Sequence, residues 1–333
     1  MTLTAFNGMR GGLTDVEGIS VGHFTHAECP TGCTIVLCER GAVAGVDVRG
    51  GAPGTRETTL LDPVNTVQKV HGIALSGGSA YGLEVAGGVM RYLEERSIGF
   101  RIGPSVVPVV PAAILFDLQL GDGKVRPTAE SGYRACLAAS SGKVAEGNVG
   151  AGAGCTVGKL LGPRFAMKSG LGTASIRAGD SGLIVAALVA VNALGDVFDP
   201  VGGKILAGAR SPDGKGFADS MQLILAGKIQ SNFPVGESTT IGVVATNAAL
   251  TKSESAKVAQ MAHDGLARTI NPVHTDLDGD AIFALATGTL KTKATTTTVG
   301  AIAAVVTAQA VLRAVTAAEG LPGLPSRSDF QGG

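Results

Sequence analysis

Apolar and polar positions alternate along the first third of the chain in a way that predicts strands. The segments TDVEGISVGHFT, CTIVLCERGAVAGVDVRGG and HGIALSGG interleave β-branched residues with polar ones and break at glycines. From about Ser79 to Arg96 the period lengthens. Leu83, Ala86, Met90 and Leu93 fall on one helical face, and Gly99 stands where such a helix would end. The run PSVVPVVP (104–111) must be extended and irregular, because each proline fixes its own φ and removes a backbone donor. A second helix is expected from about Thr128 to Ser140, with Pro127 at its start.

The second half opens with a glycine-dense stretch, GNVGAGAGCTVGKLLG (147–162), followed by the strand-like GLGTASIRAG and GLIVAALVAVNALGDVFDP. From Gly203 to Glu237 the chain is polar and punctuated by Gly and Pro, which reads as a long surface excursion. A β-rich run, TTIGVVATNAAL (239–250), then resumes abruptly. Thr251 and Glu254 form a capping box for a helix whose apolar face carries Val258, Met261, Ala262 and Gly265. A short strand, AIFALATG, and a last Ala/Val-rich helix from about Thr297 to Glu319 complete the chain. Strands and helices do not alternate as regular βαβ units, so an α+β layered fold is expected in preference to a doubly wound sheet.

Composition narrows the function classes. The 27 Lys+Arg balance 27 Asp+Glu, and only 16% of residues are charged, so no electrostatic footprint for nucleic acid or an anionic membrane exists. A 45% hydrophobic share excludes disorder. Aromatics are 4% and Trp is absent, so small aliphatic side chains must build the core. Fifty glycines without a period of three point to tight turns and close backbone approach. No apolar leader opens the chain, and the longest uninterrupted apolar runs (183–191 and 299–306) fall short of a membrane span. Five cysteines without framework spacing fit a reducing compartment, and a cytoplasmic location is expected.

Several motifs fail on inspection. GAGAGCTVGK lacks the P-loop spacing, since Lys159 is followed by Leu160, and the dinucleotide fingerprint meets Val157 where it needs Gly. His23, His26, Cys29 and Cys33 have zinc-compatible spacing, but an ordinary turn around Pro30 is the stronger reading. Asp276, Asp278 and Asp280 begin like a calcium loop, yet Ala281 and Thr287 stand at the positions that require Gly and Glu. A solvated turn is the simple explanation of these acids. Neither a G-x-S-x-G elbow nor an H-E-x-x-H helix occurs.

Five segments, in order, resemble one family: VDVRGGAPGTRET (46–58), LSGGSAYGLEVAGGV (75–89), EGNVGAGAGCTVGK (146–159), TTIGVVATNAALTK (239–252) and HTDLDGDAIFALATG (274–288). They resemble the P1-type peptidases, or L-aminopeptidase/D-esterase family, which includes β-peptidyl aminopeptidases and nylon-oligomer hydrolases. The resemblance runs from about Leu13 to the last helix. It implies a four-layer α-β-β-α sandwich of the self-cleaving N-terminal-nucleophile type, one domain cut into chains 1–238 and 239–333 at the Ser238–Thr239 bond. Thr239 would be the nucleophile, with its freed α-amine as the base. An α-amine titrates at about 7.7–8, near the working pH that a general base needs. On strand pattern alone Thr239 is an ordinary β residue; the resemblance reverses that reading.

By the same resemblance Asp278 and Asp280 are an acid pair beside the nucleophile, Lys159 a charge-stabilising or substrate-binding residue, and Asn192 an oxyanion donor. A tyrosine used by relatives falls at Phe116, and Tyr81 in the GGSAYG loop is a candidate replacement. Gly77 and Gly78 are candidates to line the pocket with backbone N–H groups. The implied reaction is hydrolysis of N-terminal peptide, amide or ester bonds without metal or organic cofactor. Alternatives are a nylon-type ω-amino oligomer hydrolase, an acyltransferase like ornithine acetyltransferase, whose signature around the cut is absent from VGESTTIG, or a binding module that keeps only the fold. A homo-oligomer of processed units is expected, with the 203–237 excursion as a contact element.

Overall fold

The computed structural model describes residues 11–228 and 237–330. Nine strands form one hydrogen-bonded sheet: β1 (Ser20–Thr25), β2 (Gly32–Val48), β3 (Thr55–Arg56), β4 (Lys69–Ser76), β5 (Ala112–Ile114), β6 (Leu171–Arg177), β7 (Ile184–Asn192), β8 (Thr239–Thr246) and β9 (Ala281–Ala286). Their order is β6-β7-β8-β9-β2-β4-β5-β3, with β1 also paired to β2. The helices are α1 (Val85–Glu94), α2 (Ala129–Leu137), α3 (Ser220–Leu225), α4 (Lys252–Ala267) and α5 (Thr296–Thr316).

The long strand β2 explains how one sheet becomes two layers. Its first part, Gly32 to Leu37, pairs with β1 and β4, and its last part, Val43 to Val48, pairs with β9. Between them the register with β4 shifts, and Gly41 takes φ +77°. That irregularity lets the two halves of the sheet face each other. Strand alternation then fills three cores. Val36, Ile73 and Leu75 meet Leu188, Ile241, Val243 and Phe283 in the middle layer. Ile35, Leu37 and Ala74 point outward to Val85, Val89 and Leu93 of α1 and to Ala135 and Cys136 of α2. On the other side Val185, Val189, Val244 and Ile282 meet Val258 and Leu266 of α4 and Val306 and Val311 of α5. The expected α-β-β-α layering is present. The two β layers, however, are halves of one continuous network rather than separate sheets.

Element boundaries differ from expectation where backbone conformation intervenes. Gly78 and Ser79 lie in the left-handed region (φ +85° and +53°), so Ser79–Glu84 forms a 3-10 turn and regular helix starts only at Val85. The Thr251–Glu254 capping box is present, with Glu254 N–H donating to Thr251 Oγ1 at 3.2 Å and Thr251 N–H to Glu254 Oε2 at 2.8 Å. The 203–237 stretch is less free than its composition suggests. A buried Asp196 carboxylate accepts from Ala209 N–H, Ser220 N–H and Ser220 Oγ. Residues 229–236 of the expected contact element lie outside the described residues. Counted as a helix rather than as an unbroken apolar run, α5 is long and apolar enough to cross a membrane, but most of it is buried within the fold.

Much of the glycine excess serves close packing. A Cβ on Gly45 of β2 would sit 2.2 Å from Ala256 N of α4. By contrast Gly87 in α1 faces open space. Gly45→Ala is therefore expected to lower the midpoint of thermal unfolding, at a cost of about 1–3 kcal/mol. Gly87→Ala should raise stability by about 0.5–1 kcal/mol. Paired thermal melts of the two variants check both signs.

Candidate active site

Sheet register brings the chemically interesting residues to one end of the fold. Asn192, the last residue of β7, lies opposite Thr239, the first residue of β8. Strand β8 runs parallel to β9, and just before β9 Ser238 bridges to Asp278. The segment 278–280 therefore lies alongside the Ser238–Thr239 peptide. Asp278, Asp280, Ser238, Thr239 and Asn192 are all buried. Thr239 opens its strand, so a break before it divides no element.

Gly279 makes this approach possible. A Cβ there would lie 2.8 Å from Thr239 Oγ1 and 2.7 Å from the Ala52 carbonyl oxygen. The Gly279 N–H donates to the Ser238 carbonyl oxygen at 2.9 Å, and Thr239 Oγ1 donates to that same oxygen at 2.5 Å. The hydroxyl and the preceding carbonyl are thus held together, with a backbone donor already on the oxygen that would carry charge. Sequence reading did not identify this donor. The glycine between two acids in DGD was its only trace.

The acids flank that contact. Asp280 Oδ1 accepts from Thr240 N–H at 2.6 Å, and Oδ2 accepts from His274 Nδ1–H at 2.8 Å and His274 N–H at 3.2 Å. Asp278 accepts from Thr275 N–H, Thr275 Oγ1 and Leu194 N–H. Burial, reinforced by the neighbouring Asp280, pushes the Asp278 carboxyl up to about 6. The expected solvated turn is thus corrected for these two: only Asp276 is exposed.

Lys159 is the nearby cation. Its Nζ donates to the Asn192 carbonyl (3.0 Å), Asn192 Oδ1 (2.8 Å) and the Glu237 carbonyl (2.8 Å), using all three of its hydrogens. Burial lowers it to about 8, against the opposing pull of groups including Asp278 and Glu237. It remains mostly charged at neutral pH. Asn192 Oδ1 also accepts from Thr156 N–H, while its Nδ2 donates to the Phe116 carbonyl at 2.9 Å and lies 3.5 Å from the Glu237 carbonyl. In the uncut chain Asn192 therefore holds the approach to the bond rather than the Ser238 oxygen itself.

A cavity of about 360 Å³ opens beside the bond, lined by Phe116, Leu120, Leu194, Leu277 and Leu324 among others, with Lys159, Asp117 and Glu237 as its charged members. Phe116 is at the site as expected; three other candidates are not. Tyr81 lies outside the cavity lining, exposed, with its ring under the Arg126 guanidinium at 3.7 Å. Gly77 N–H donates to the Gly32 carbonyl and Gly78 N–H to Asp117 Oδ1, so neither presents a free donor to substrate. Both glycines lie behind Asp117, a residue of the cavity lining. Asp117, buried and raised from its usual carboxylate range by burial, was missed because nothing in ILFDL marks it. The zinc-spaced residues are engaged locally, as the turn reading expected: His23 Nδ1 pairs with Thr34 Oγ1, and His26 Nδ1 accepts from Glu28 and Cys29 N–H.

The layered α-β-β-α body thus carries Thr239, two carboxylates and Lys159 in one buried cluster at a strand start. A profile of Peptidase family S58 matches residues 11–328, and the chain belongs to that family; it is a hydrolase of the peptidase class. It is 45% identical to a Mycobacterium leprae protein named as an uncharacterized aminopeptidase, over 94% of this chain and 92% of that one. It is 32% identical to the 6-aminohexanoate-oligomer endohydrolase of Kocuria sp., over 90% of this chain and 84% of the relative. Among solved structures, a Burkholderia sp. beta-aminopeptidase superposes with TM-score 0.69 at 23% identity, covering 98% and 94% of the two chains. The L-aminopeptidase D-Ala-esterase/amidase of Ochrobactrum anthropi, described as a variant of the Ntn hydrolase fold, gives 0.68 at 20%, covering 94% and 88%.

Two outcomes follow from this geometry. Gly279→Ala places a methyl group 2.8 Å from Thr239 Oγ1 and would displace the hydroxyl, so the variant is expected to fold yet to cleave its own chain at least about a hundredfold more slowly, followed by denaturing gel. The second concerns pH. Because the folded-state pKa of Asp278 is raised, its proton stabilises the fold. That contribution is present below about pH 4 and is lost as pH rises through about 6, on the order of 2 kcal/mol. Denaturant melts from pH 4 to 7 on uncut Thr239→Ala should show this loss, and Thr239→Ala/Asp278→Asn should lack it.

Proposed function

We propose that the protein is a self-maturing aminopeptidase or amidase whose nucleophile is Thr239. The observation that carries this reading is the joint contact at Ser238: its carbonyl oxygen takes Gly279 N–H at 2.9 Å while Thr239 Oγ1 lies 2.5 Å from the same oxygen. In maturation Thr239 Oγ attacks the Ser238 carbonyl carbon, and the oxyanion forms on the Gly279 donor. The hydroxyl proton passes to the departing Thr239 nitrogen. Water then hydrolyses the resulting ester and leaves a Ser238 carboxylate. The chain becomes 1–238 and 239–333, as one folded domain.

The freed α-amine emerges beside Asp278 and Asp280, whose negative charge receives it when protonated. When neutral it takes the Thr239 hydroxyl proton during attack on substrate. The acyl group of a substrate then stands where Ser238 stood, with its carbonyl oxygen toward Gly279 N–H and within the field of Lys159. Release of the Glu237 carbonyl frees Lys159 and Asn192 to face the substrate. The substrate class is a small peptide, amide or ester with an unmodified amino end. The apolar cavity wall of Phe116, Leu120, Leu194 and Leu324 also favours a second reading, an ω-amino oligomer with a methylene chain, as the name of the Kocuria relative describes for that protein. Two copies or more in a cytoplasmic homo-oligomer complete the proposal.

Thr239→Ala is expected to give a single full-length band where the parent gives fragments 1–238 and 239–333, and to lose all turnover of p-nitroanilides. Thr239→Ser should retain cleavage. A panel of α-, β- and ω-aminoacyl p-nitroanilides separates the substrate readings. Mature, active protein with the 238–239 linkage intact by mass analysis overturns the reading.

A further inference from the structure

His274 stands directly behind the acid pair. It occupies the left-handed region at φ +57°, in the turn that follows Asn271–Pro272 and precedes Asp278. For a non-glycine residue that backbone costs free energy and persists only where surrounding contacts hold it. Two contacts do so here, and both go to one oxygen: the His274 N–H and Nδ1–H donate to Asp280 Oδ2 at 3.2 and 2.8 Å. A carboxylate oxygen only accepts, so the ring carries its proton on Nδ1. The opposite oxygen of Asp280 accepts from Thr240 N–H at 2.6 Å, one residue from the nucleophile.

The ring is itself fixed from behind. It packs edge-on against His263 with centroids 4.8 Å apart. His263 is fully buried, lowered to about 4 by that burial and therefore neutral at pH 7, and its Nε2–H donates to the Asp47 carbonyl of β2 at 3.0 Å. A continuous set of contacts thus runs from the backbone of β2 through His263 and His274 to Asp280 and the start of β8.

We propose that His274 is a positioning residue for the reaction: its Nδ1–H and strained backbone fix the rotamer of Asp280, and so the placement of the Thr239–Thr240 strand start against Gly279. This rests on the reading of Thr239 as nucleophile. It assigns His274 no contact with substrate. Its effect therefore falls on the rate of self-cleavage and on kcat, with KM little changed.

Three substitutions separate the ring donor from the turn. Asn adopts left-handed backbone readily, and its side-chain N–H can reach about where Nδ1–H reached. Gly relieves the backbone and removes the donor, and Ala removes the donor and keeps the strain. Expected self-cleavage rates and kcat are within about fivefold of the parent for His274→Asn, and at least about thirtyfold lower for His274→Gly and His274→Ala. All three should retain the parent's circular dichroism spectrum. If His274→Gly matches or exceeds His274→Asn, only the turn matters and the proposal fails. If all three mature and turn over like the parent, it also fails. Asp280→Ala, run beside them, tests the underlying reading: full activity there removes the site assignment itself, whereas its inactivity with active His274→Ala removes only the role of His274.

Discussion

The site depends on one steric allowance, the missing side chain of Gly279. Two buried carboxylates at 278 and 280 lie on one side of an extended segment, against the start of β8. The residue between them faces Thr239. A Cβ there would stand 2.8 Å from the hydroxyl that lies beside the Ser238 carbonyl, so the hydroxyl or the segment would have to shift. The same residue supplies the N–H that sits on that carbonyl oxygen. On the proposed reading, space and a donor at one position would make a peptide bond inside a folded body a target for its own chain.

Electrostatics supply the direction of the change. In the uncut chain the pair is satisfied by Thr275, Leu194, Thr240 and His274, yet Asp278 is still held above its ordinary range. Lys159 feels the charge of Asp278, but its three hydrogens are taken by carbonyl and amide oxygens. Cutting before Thr239 would create an ammonium group beside the carboxylates, which removes part of the penalty of burying them. A buried acid pair that looks costly in the intact chain would then serve as the counter-charge of that ammonium group.

The elements and the α+β class were legible in the chain, because period-two and helical patterns depend on which residues must be buried, while the four-layer arrangement came from the resemblance. The β7 run, the α4 capping box and the α5 stretch lie about where periodicity put them. What local pattern could not show was the conformation of turns. The GGSAYG loop belongs to the segments that carry the resemblance, but Gly78 and Ser79 are left-handed and Tyr81 is exposed. HTDLDGD reads as a hydrated turn until its neighbours close over it, and burial of Asp278 and Asp280 is a property of tertiary packing. Asp117 and the Gly279 N–H left no composition signal at all. Thr239, Lys159 and Asn192 came from resemblance, and the structure brings them to one place.

The order of strands has a consequence for what a cut at 238/239 produces. Strands β8 and β9 lie at the interior of the sheet, bordered by β7 on one side and β2 on the other, both from the longer piece. Helices α4 and α5, from the shorter piece, cover strands belonging to both. Neither fragment could leave without tearing two backbone ladders and opening two hydrophobic layers. Hydrolysis of that one bond would therefore change chemistry at a single atom pair while the two polypeptides stay interlaced as one inseparable body.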